Sequence, residues 1–256
     1  MPAKNTMSSE RVAIVTGSSR GIGAATARVL AENNYDVCIN YRSNSTAADA
    51  VVDELVSAGA TAFALQADIG NEVDIVRMFE TVDQELGPVT ALVNNAGILF
   101  SQMRVEEMDA ERISQVLATN VTGSFLCCRE AIKRMSTRHG GHGGSIVNVS
   151  SAASRIGSPG EYVDYAASKG AIDTLTRGLS IEVAAEGIRV NCVRPGFIHT
   201  EMHAAGGEPG RVDRLSDSIP MKRGGTPEEV ANSILWLLSD NASYVTGTFI
   251  DIAGGR

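Results

Sequence analysis

Short apolar runs alternate with longer stretches of helical pattern along the whole chain. The short runs are typical of buried parallel strands and predict strands over residues 11–16, 36–41, 61–67, 91–93, 145–149, 188–193 and 248–252. The longer stretches predict helices over residues 24–33, 45–58, 71–86, 109–138 and 226–238, and a further helix that carries Tyr165 and Lys169 and continues to Ala185. Such an alternation with short links predicts an α/β fold, with one doubly wound parallel sheet of about seven strands and helices on both faces. We expect a single domain over residues 1–256.

Turn and capping signals mark several of the links. Gly59 stands where a left-handed residue would end the second helix. Thr226-Pro-Glu-Glu229 is a capping box with proline at the first helical position, so it predicts the start of the last helix. The glycines within residues 140–144 predict a flexible, hairpin-like tip. Residues 199–225 lack a clear period and are rich in Gly, His and Met, so we expect a mobile lid over the substrate.

Composition and charge narrow the class of protein. With 43% apolar and 20% charged residues, the 256-residue chain has the composition of an ordinary globular protein. A net charge of −8 argues against binding to nucleic acid, whose phosphates require a basic surface. Residues 1–10 form a polar extension without a signal-peptide core, and no apolar run is long enough to span a membrane, so we expect a soluble, cytoplasmic protein. The cysteines lie in apolar segments, which predicts buried, reduced thiols: Cys38, Cys127, Cys128 and Cys192.

The stretches rich in Gly, Asn or Ser all follow predicted strands, so we expect them to meet at one edge of the sheet, where ligands bind in doubly wound folds. The first of them, Thr16 to Gly23, has the spacing Gly-x-x-x-Gly-x-Gly between the first strand and the first helix. Glycines at that junction allow a tight turn and close approach to a pyrophosphate, whose charge interacts favourably with the helix N-terminus. The loop therefore predicts a dinucleotide site.

Tyr165 and Lys169 lie four residues apart, so on a helix their side chains share one face. A free tyrosine has a pKa near ~10 and is a poor base at neutral pH. We expect the neighbouring ammonium, together with an oxidised nicotinamide, to lower that pKa towards ~7. A tyrosine tuned in this way could exchange a proton with an alcohol or a carbonyl oxygen.

At this point the chain resembles the short-chain dehydrogenase/reductase family in its compact, Rossmann-type form. The resemblance covers essentially the whole chain and rests on the Thr16–Gly23 loop, Asn94-Asn95-Ala96-Gly97, Asn120, Ser151, Tyr165 with Lys169, and Pro195-Gly196. It implies that Tyr165 is the acid/base and that Lys169 binds the nicotinamide ribose and lowers the tyrosine pKa. It implies further that Ser151 hydrogen-bonds the substrate oxygen and that Asn120 holds a water in a proton relay.

Two other side chains compete with these assignments. Ser150 could take the role of Ser151, which we prefer because of its likeness to the family position. Tyr162 is not followed by a lysine one turn later, so we interpret it as part of the pocket wall.

The resemblance also implies the cofactor contacts. Asp68 and Ile69 match the family's adenine contact, Asn95 and Ala96 its ribose contact, and Ile198 and Thr200 its carboxamide or phosphate contact. The full predicted set is Gly17, Ser19, Arg20, Gly21, Ile22, Gly23, Arg42, Ser43, Asp68, Ile69, Asn95, Ala96, Gly97, Tyr165, Lys169, Pro195, Gly196, Ile198 and Thr200.

The end of the second strand indicates which nicotinamide cofactor binds. An acidic residue there would select NAD through the ribose 2′-hydroxyl. The chain has Arg42 and Ser43 instead, and Arg20 in the glycine loop offers a second cation. These groups suit a 2′-phosphate, so we expect NADP(H) rather than NAD.

The expected activity is hydride transfer between NADP(H) and a small ketone, alcohol or sugar, that is, an enzyme acting on CH–OH groups. The alternatives are a 3-oxoacyl-carrier-protein reductase and a non-catalytic NADP(H) sensor. Ile181 fills a place where carrier reductases have an arginine, although Arg138 could still contribute, and the charge of −8 disfavours an acidic partner.

His199 and His203 have zinc-ligand spacing but no further ligands, so we expect no metal. The family commonly forms tetramers, which implies a homo-oligomer assembled through the helices bearing Asn120 and Tyr165 and through the last helix and strand.

Overall fold

One parallel sheet forms the centre of the protein, whose computed structural model describes residues 11–256. The expectations for residues 1–10 lie outside this range. Within it the sheet has seven strands in the order β3-β2-β1-β4-β5-β6-β7, every adjacent pair parallel. The strands are β1 Val12–Val15, β2 Asp36–Tyr41, β3 Ala62–Gln66, β4 Ala91–Asn94, β5 Gly144–Val149, β6 Ile188–Pro195 and β7 Phe249–Ile252. The predicted doubly wound α/β sheet is confirmed, and its strand order reverses between β1 and β4.

Helices connect successive strands. They are α1 Gly21–Glu32, α2 Ser45–Ser57, α3 Glu72–Glu85, α4 Ala110–Leu117, α5 Gly123–Met135, α6 Ala153–Ile156, α7 Val163–Glu182, α8 Met202–Ala205, α9 Arg211–Leu215 and α10 Pro227–Leu238. The long helical stretch predicted over residues 109–138 is confirmed from Ala110 to Met135, and within it a π-helical turn at Ala118–Thr122 joins α4 to α5. Within residues 11–256, none of the helices combines the length and apolar character required to cross a bilayer.

The core consists of one apolar layer on each face of the sheet. Ile14, Leu92 and Ile146 pack on one side with α3, α5 and α7, and Val15 and Val93 pack on the other with α1 and α10. Because both faces are covered, the strands are apolar at nearly every position. All four cysteines are free and buried, as the sequence predicts, and burial raises the pKa of each thiol.

The capping signals are confirmed, whereas the predicted hairpin-like tip is wrong. Gly59 has a φ of +92° directly after α2, and Thr226 and Glu229 form the expected reciprocal cap of α10. Residues 140–144 do not form a projecting hairpin, because they lead from α5 into the parallel strand β5. A Cβ added at Gly141 would lie 2.2 Å from the Arg134 carbonyl oxygen, so glycine here permits close packing.

The segment 199–225 lies across the carboxyl edge of the sheet and contains the short helices α8 and α9. It is fastened to the chain just before α7. The Tyr162 hydroxyl donates a hydrogen bond to the Gly206 carbonyl at 3.2 Å, and Arg211 forms ion pairs with Glu161 and Glu208. These contacts describe a segment closed over the edge of the sheet. Its opening as a lid stays a prediction.

Candidate active site

A cleft in two parts opens at the carboxyl ends of the strands. The larger part, about 920 Å³, lies between the glycine loop and the ends of β2, β3 and β4. The smaller part, about 440 Å³, is bounded by the end of β5, α7 and the segment after β6. Both parts are lined by Ile22, Asn95, Leu99, Thr200 and Met202, so they adjoin. This is the edge of the sheet at which the sequence predicts that the ligand binds.

The glycine loop is shaped for an anion. Gly17 and Gly21 have φ values of +62° and +55°, and a Cβ at Gly23 would lie 2.5 Å from the Gly17 carbonyl oxygen. The N-cap residue of α1, Arg20, makes no side-chain cap hydrogen bond, so the first N–H groups of the helix are left for a ligand. Backbone donors and the helix dipole together suit a pyrophosphate.

Asn40 organises this loop, and sequence reasoning did not single it out. Its side-chain oxygen accepts a hydrogen bond from Gly17 N at 3.0 Å, and its Nδ2 donates to the carbonyls of Leu65 and Ala67 at 3.3 and 3.1 Å. The residue is only 2% exposed. One amide thus fastens the glycine loop to the end of β3. The available signal was a polar residue between the apolar run Val37 to Ile39 and Tyr41, inside the predicted second strand.

Nearly all predicted cofactor residues line one part of the cleft. The larger part is lined by Gly17, Ser19, Arg20, Gly21, Ile22, Arg42, Ser43, Asp68, Ile69, Asn95, Ala96, Gly97 and Thr200. The smaller part is lined by Tyr165, Lys169, Pro195, Gly196 and Ile198. Gly23 lines neither and instead packs behind the loop. The structure therefore brings together residues that are far apart in the sequence.

Tyr165 is half-buried beside Ser151 and Lys169. Burial raises the pKa of Tyr165 to about 12, and a hydrogen bond with the Ser151 hydroxyl offsets part of this rise. In the protein alone, desolvation of the phenolate is the largest influence on this pKa, and the expected lowering by Lys169 together with an oxidised nicotinamide stays a prediction. The Lys169 ammonium lies 5.5 Å from the centre of the Tyr165 ring. Tyr165 is therefore a protonated phenol, a form that can donate a proton.

Lys169 is held in place by the end of β5. Its Nζ donates to the Val149 carbonyl at 2.8 Å, and the residue is 3% exposed. Burial lowers the pKa of the ammonium to about 8, while the charges of Cys192 and Asp173 act in the opposite direction. The lysine thus remains largely cationic at neutral pH.

The two neighbouring serines differ in orientation. The Ser150 hydroxyl donates to the Lys169 carbonyl at 3.1 Å and is buried, so it is engaged with the helix. Ser151 Oγ accepts a hydrogen bond from Ala153 N at 3.1 Å and lines the smaller part of the cleft, beside the Tyr165 hydroxyl. This geometry favours Ser151 for contact with a substrate oxygen.

Asn120 lies in the π-helical turn, and its side chain does not line the cleft. Its side-chain amide accepts a hydrogen bond from Ile98 N at 2.8 Å. It donates hydrogen bonds to Ile98 O and Ser168 Oγ, both at 3.0 Å. A Cβ at Gly97 would lie 3.4 Å from Asn120 Oδ1 and 3.5 Å from Lys169 Nζ, so both groups face Gly97. The water relay implied for Asn120 stays a prediction.

The two histidines of the segment 199–225 have separate surroundings. His203 Nε2 lies 3.1 Å from the Ile198 carbonyl, and burial lowers the pKa of this histidine. His199 packs against Gly224. Among residues 11–256, no group of three His, Cys, Asp or Glu side chains is placed to hold a metal ion.

Comparisons with known proteins agree with this geometry. The family model described as enoyl-(acyl carrier protein) reductase matches residues 17–256. The chain is 68% identical to the uncharacterized oxidoreductase YgfF of Escherichia coli K12, over 96% of the chain and 99% of that protein. It is 39% identical to a 3-oxoacyl-[acyl-carrier-protein] reductase of Synechocystis, over 96% of each chain. A crystal structure of a short-chain dehydrogenase from Burkholderia cenocepacia in complex with NADP superimposes with a TM-score of 0.87 at 31% identity, covering 96% of this chain and 97% of that one.

Proposed function

The chain belongs to the short-chain dehydrogenase/reductase family of oxidoreductases, and on that premise we propose that it is an NADP(H)-dependent reductase of small carbonyl compounds. The observation that carries the proposal is the geometry of Tyr165, whose hydroxyl lies beside Ser151 and whose ring lies beside the Lys169 ammonium, in a cleft large enough for a dinucleotide. A phenol that is protonated at neutral pH has a proton to transfer, which is the step that carbonyl reduction requires.

Each residue of the site has a distinct task in this proposal. The Ser151 and Tyr165 hydroxyls donate hydrogen bonds to the substrate carbonyl oxygen and so stabilise negative charge as it develops. Tyr165 then transfers its proton to that oxygen, and the Lys169 ammonium stabilises the phenolate that remains. Bound NADP(H) supplies or accepts the hydride. Asn120 and Lys169, which both face Gly97, provide a route for reprotonation through one water.

The charges around the larger part of the cleft support NADP(H) over NAD. Arg42 and Ser43 line it at the end of β2, and Arg20 lines it from the glycine loop. No carboxylate lies within 4.0 Å of either arginine among residues 11–256, so both charges are available to a 2′-phosphate. The Burkholderia relative, whose structure contains NADP, supports the same preference.

A 3-oxoacyl-carrier-protein reductase is the second candidate, because relatives of that name are 37–39% identical over nearly the whole chain. The surface argues for a small free substrate instead. Ile181, at the place where we expect carrier reductases to have an arginine, is 78% exposed, and Arg138 is paired with Glu186. The net charge of −8 would also repel an acidic carrier protein.

Exposed apolar side chains support a homo-oligomer. Leu117 on α4 and Phe125 on α5 are 41% and 50% exposed, and Trp236 on α10 is 41% exposed. These helices are among those through which the family resemblance implies assembly. We include self-association through these helices, up to a tetramer, in the proposal.

The proposed activity is tested by following the absorbance of NADPH with a panel of small ketones, aldehydes and sugars, beside a 3-oxoacyl group linked to a carrier protein. We expect turnover of a free carbonyl compound, with NADH a poorer cofactor by at least ~10-fold, as expected when a charged 2′-phosphate contact is lost. A strong preference for the carrier-linked group would favour the acyl reductase. Tight NADPH binding without turnover of any compound would favour a sensor.

A further inference from the structure

Two arginines and two aromatic rings lie together in the wall of the smaller part of the cleft. The guanidinium of Arg211 lies 5.3 Å from the Tyr162 ring centre and 5.6 Å from that of Phe197. The guanidinium of Arg256 lies 4.7 Å from the Phe197 ring centre. All four residues line the same cavity as Ser151 and Tyr165.

Arg256 differs from Arg211 in its ionic partners. Arg211 is 6% exposed and paired with both Glu161 and Glu208, so its charge is compensated within the protein. Arg256 is exposed and has no Asp or Glu side chain within 4.0 Å among residues 11–256. Its guanidinium is therefore available to a ligand.

Arginines without a carboxylate partner are uncommon in the described chain. Most arginines of residues 11–256 lie within 4.0 Å of an acidic side chain, and the exceptions are Arg20, Arg42, Arg177, Arg189 and Arg256. Arg189 donates to backbone carbonyls, and Arg177 lies over Phe249 away from the cleft. The remaining three line the cleft: Arg20 and Arg42 in the part assigned to the cofactor phosphates, and Arg256 in the part assigned to the substrate.

Two side chains give the lining of the substrate cavity its positive charge, Lys169 and Arg256. Glu161 is the only acidic side chain in the lining, and it is paired with Arg211. Tyr165 and His203 are neutral at pH 7, since burial raises the pKa of the first and lowers that of the second. A positive cavity in a chain of net charge −8 favours an anionic ligand.

We propose that the substrate is a keto acid whose carboxylate binds Arg256 while its carbonyl oxygen lies between Ser151 and Tyr165 in the same cavity. The inference rests on the proposed function and names its substrate class. A guanidinium presents two parallel N–H donors to a carboxylate and can stack on an aromatic ring at the same time, which a lysine cannot reproduce. Phe197 supplies that ring, with its centre 4.7 Å from the Arg256 guanidinium.

The test compares keto acids with their uncharged esters. Reduction of acetoacetate and levulinate by NADPH is measured beside reduction of methyl acetoacetate and methyl levulinate. We expect kcat/KM for the better acid to exceed that of its ester by at least ~10-fold in the wild-type protein, and the KM of the acid to rise with salt as the ion pair is screened. Arg256→Met keeps an apolar stem over Phe197. It should bring the ratio of kcat/KM for the acid to kcat/KM for its ester close to one. Arg256→Lys should keep part of the preference.

Arg177→Met is the matched control, because Arg177 also lies over a phenylalanine and has no carboxylate partner but does not line the cleft. It should retain the wild-type ratio, and NADPH should bind all variants with the same Kd. An ester reduced as well as its acid, or a ratio unchanged in Arg256→Met, would overturn the inference while leaving the reductase activity intact. Absence of turnover with every compound, charged or neutral, would instead overturn the proposed function and this inference with it.

Discussion

Tyr165 illustrates what the sequence could and could not establish about a single side chain. Its spacing to Lys169 and its place on a helix beside the cleft could be predicted, because both follow from local pattern. The direction of its pKa could not, since that depends on burial, which tertiary packing creates. The same limit explains why Asn40 was missed: its three partners come from the glycine loop and the end of β3, which are distant in sequence.

The role of Asn40 gives a prediction at this scale. Asn40→Asp keeps the acceptor for Gly17 N but loses both donors and sets a carboxylate against the carbonyls of Leu65 and Ala67. Leaving buried polar groups unpaired costs about 1–3 kcal/mol. Because each 1.4 kcal/mol is tenfold in affinity, we expect Kd for NADPH to rise about tenfold or more, measured by fluorescence titration.

Asn33→Asp is the control, because that amide is exposed at the end of α1 and donates only to the Val29 carbonyl. Its Kd should stay at the wild-type value. Thermal unfolding without cofactor separates loss of affinity from loss of fold. If Asn40→Asp binds NADPH as the wild-type protein does, the loop does not depend on this amide.

At the scale of elements, the sequence predicts the ends of helices and strands correctly where a glycine, a proline or a capping box marks them. It does not predict changes in helix geometry that no such residue marks. The strands and the last helix agree with the structure to within a residue or two, because glycines, prolines and the capping box delimit them. The π-helical turn at Ala118–Thr122 could not be predicted, since no residue there breaks a helix. It is held by tertiary contacts, including those of Asn120 with Ile98.

The capping box of α10 gives a prediction for stability. The Thr226 hydroxyl accepts the Glu229 N–H, and the Glu229 carboxylate accepts the Thr226 N–H. Thr226→Ala should lower the free energy of unfolding by about 1 kcal/mol, the usual cost of losing an N-cap. Chemical denaturation measures this, and Ser233→Ala in the middle of the same helix should change it far less. Equal effects of the two substitutions would show that the cap does not stabilise α10.

At the scale of the whole molecule, the sheet explains why one edge holds the site. All the strands run in parallel, so the residues that follow β1, β2, β3, β4, β5 and β6 meet at their carboxyl ends. Alternation along the sequence was sufficient to predict this edge. The alternation did not reveal the cations in the wall of the substrate cavity, Arg211 and Arg256. Both lie in segments without a recognisable motif, and tertiary folding alone brings them to the cavity.

Self-association gives a prediction at this scale. Phe125→Glu places a charge on an exposed apolar position of α5 and should lower the mass of the assembly, measured by size-exclusion chromatography with light scattering. Val73→Glu is the control, because Val73 is 73% exposed on α3, which lies outside the proposed contacts. A wild-type monomer, or a mass unchanged in Phe125→Glu, would contradict assembly through this helix.

The central claim is that Tyr165 donates the proton in a carbonyl reduction. The most direct test measures kcat/KM of Tyr165→Phe with the best carbonyl substrate, beside Tyr162→Phe as a second tyrosine of the same cavity. Loss of general acid catalysis should lower kcat/KM by about 10²–10⁴ in Tyr165→Phe, with Kd for NADPH unchanged, whereas Tyr162→Phe should lose far less. A Tyr165→Phe protein that reduces the substrate at the wild-type rate would contradict the account.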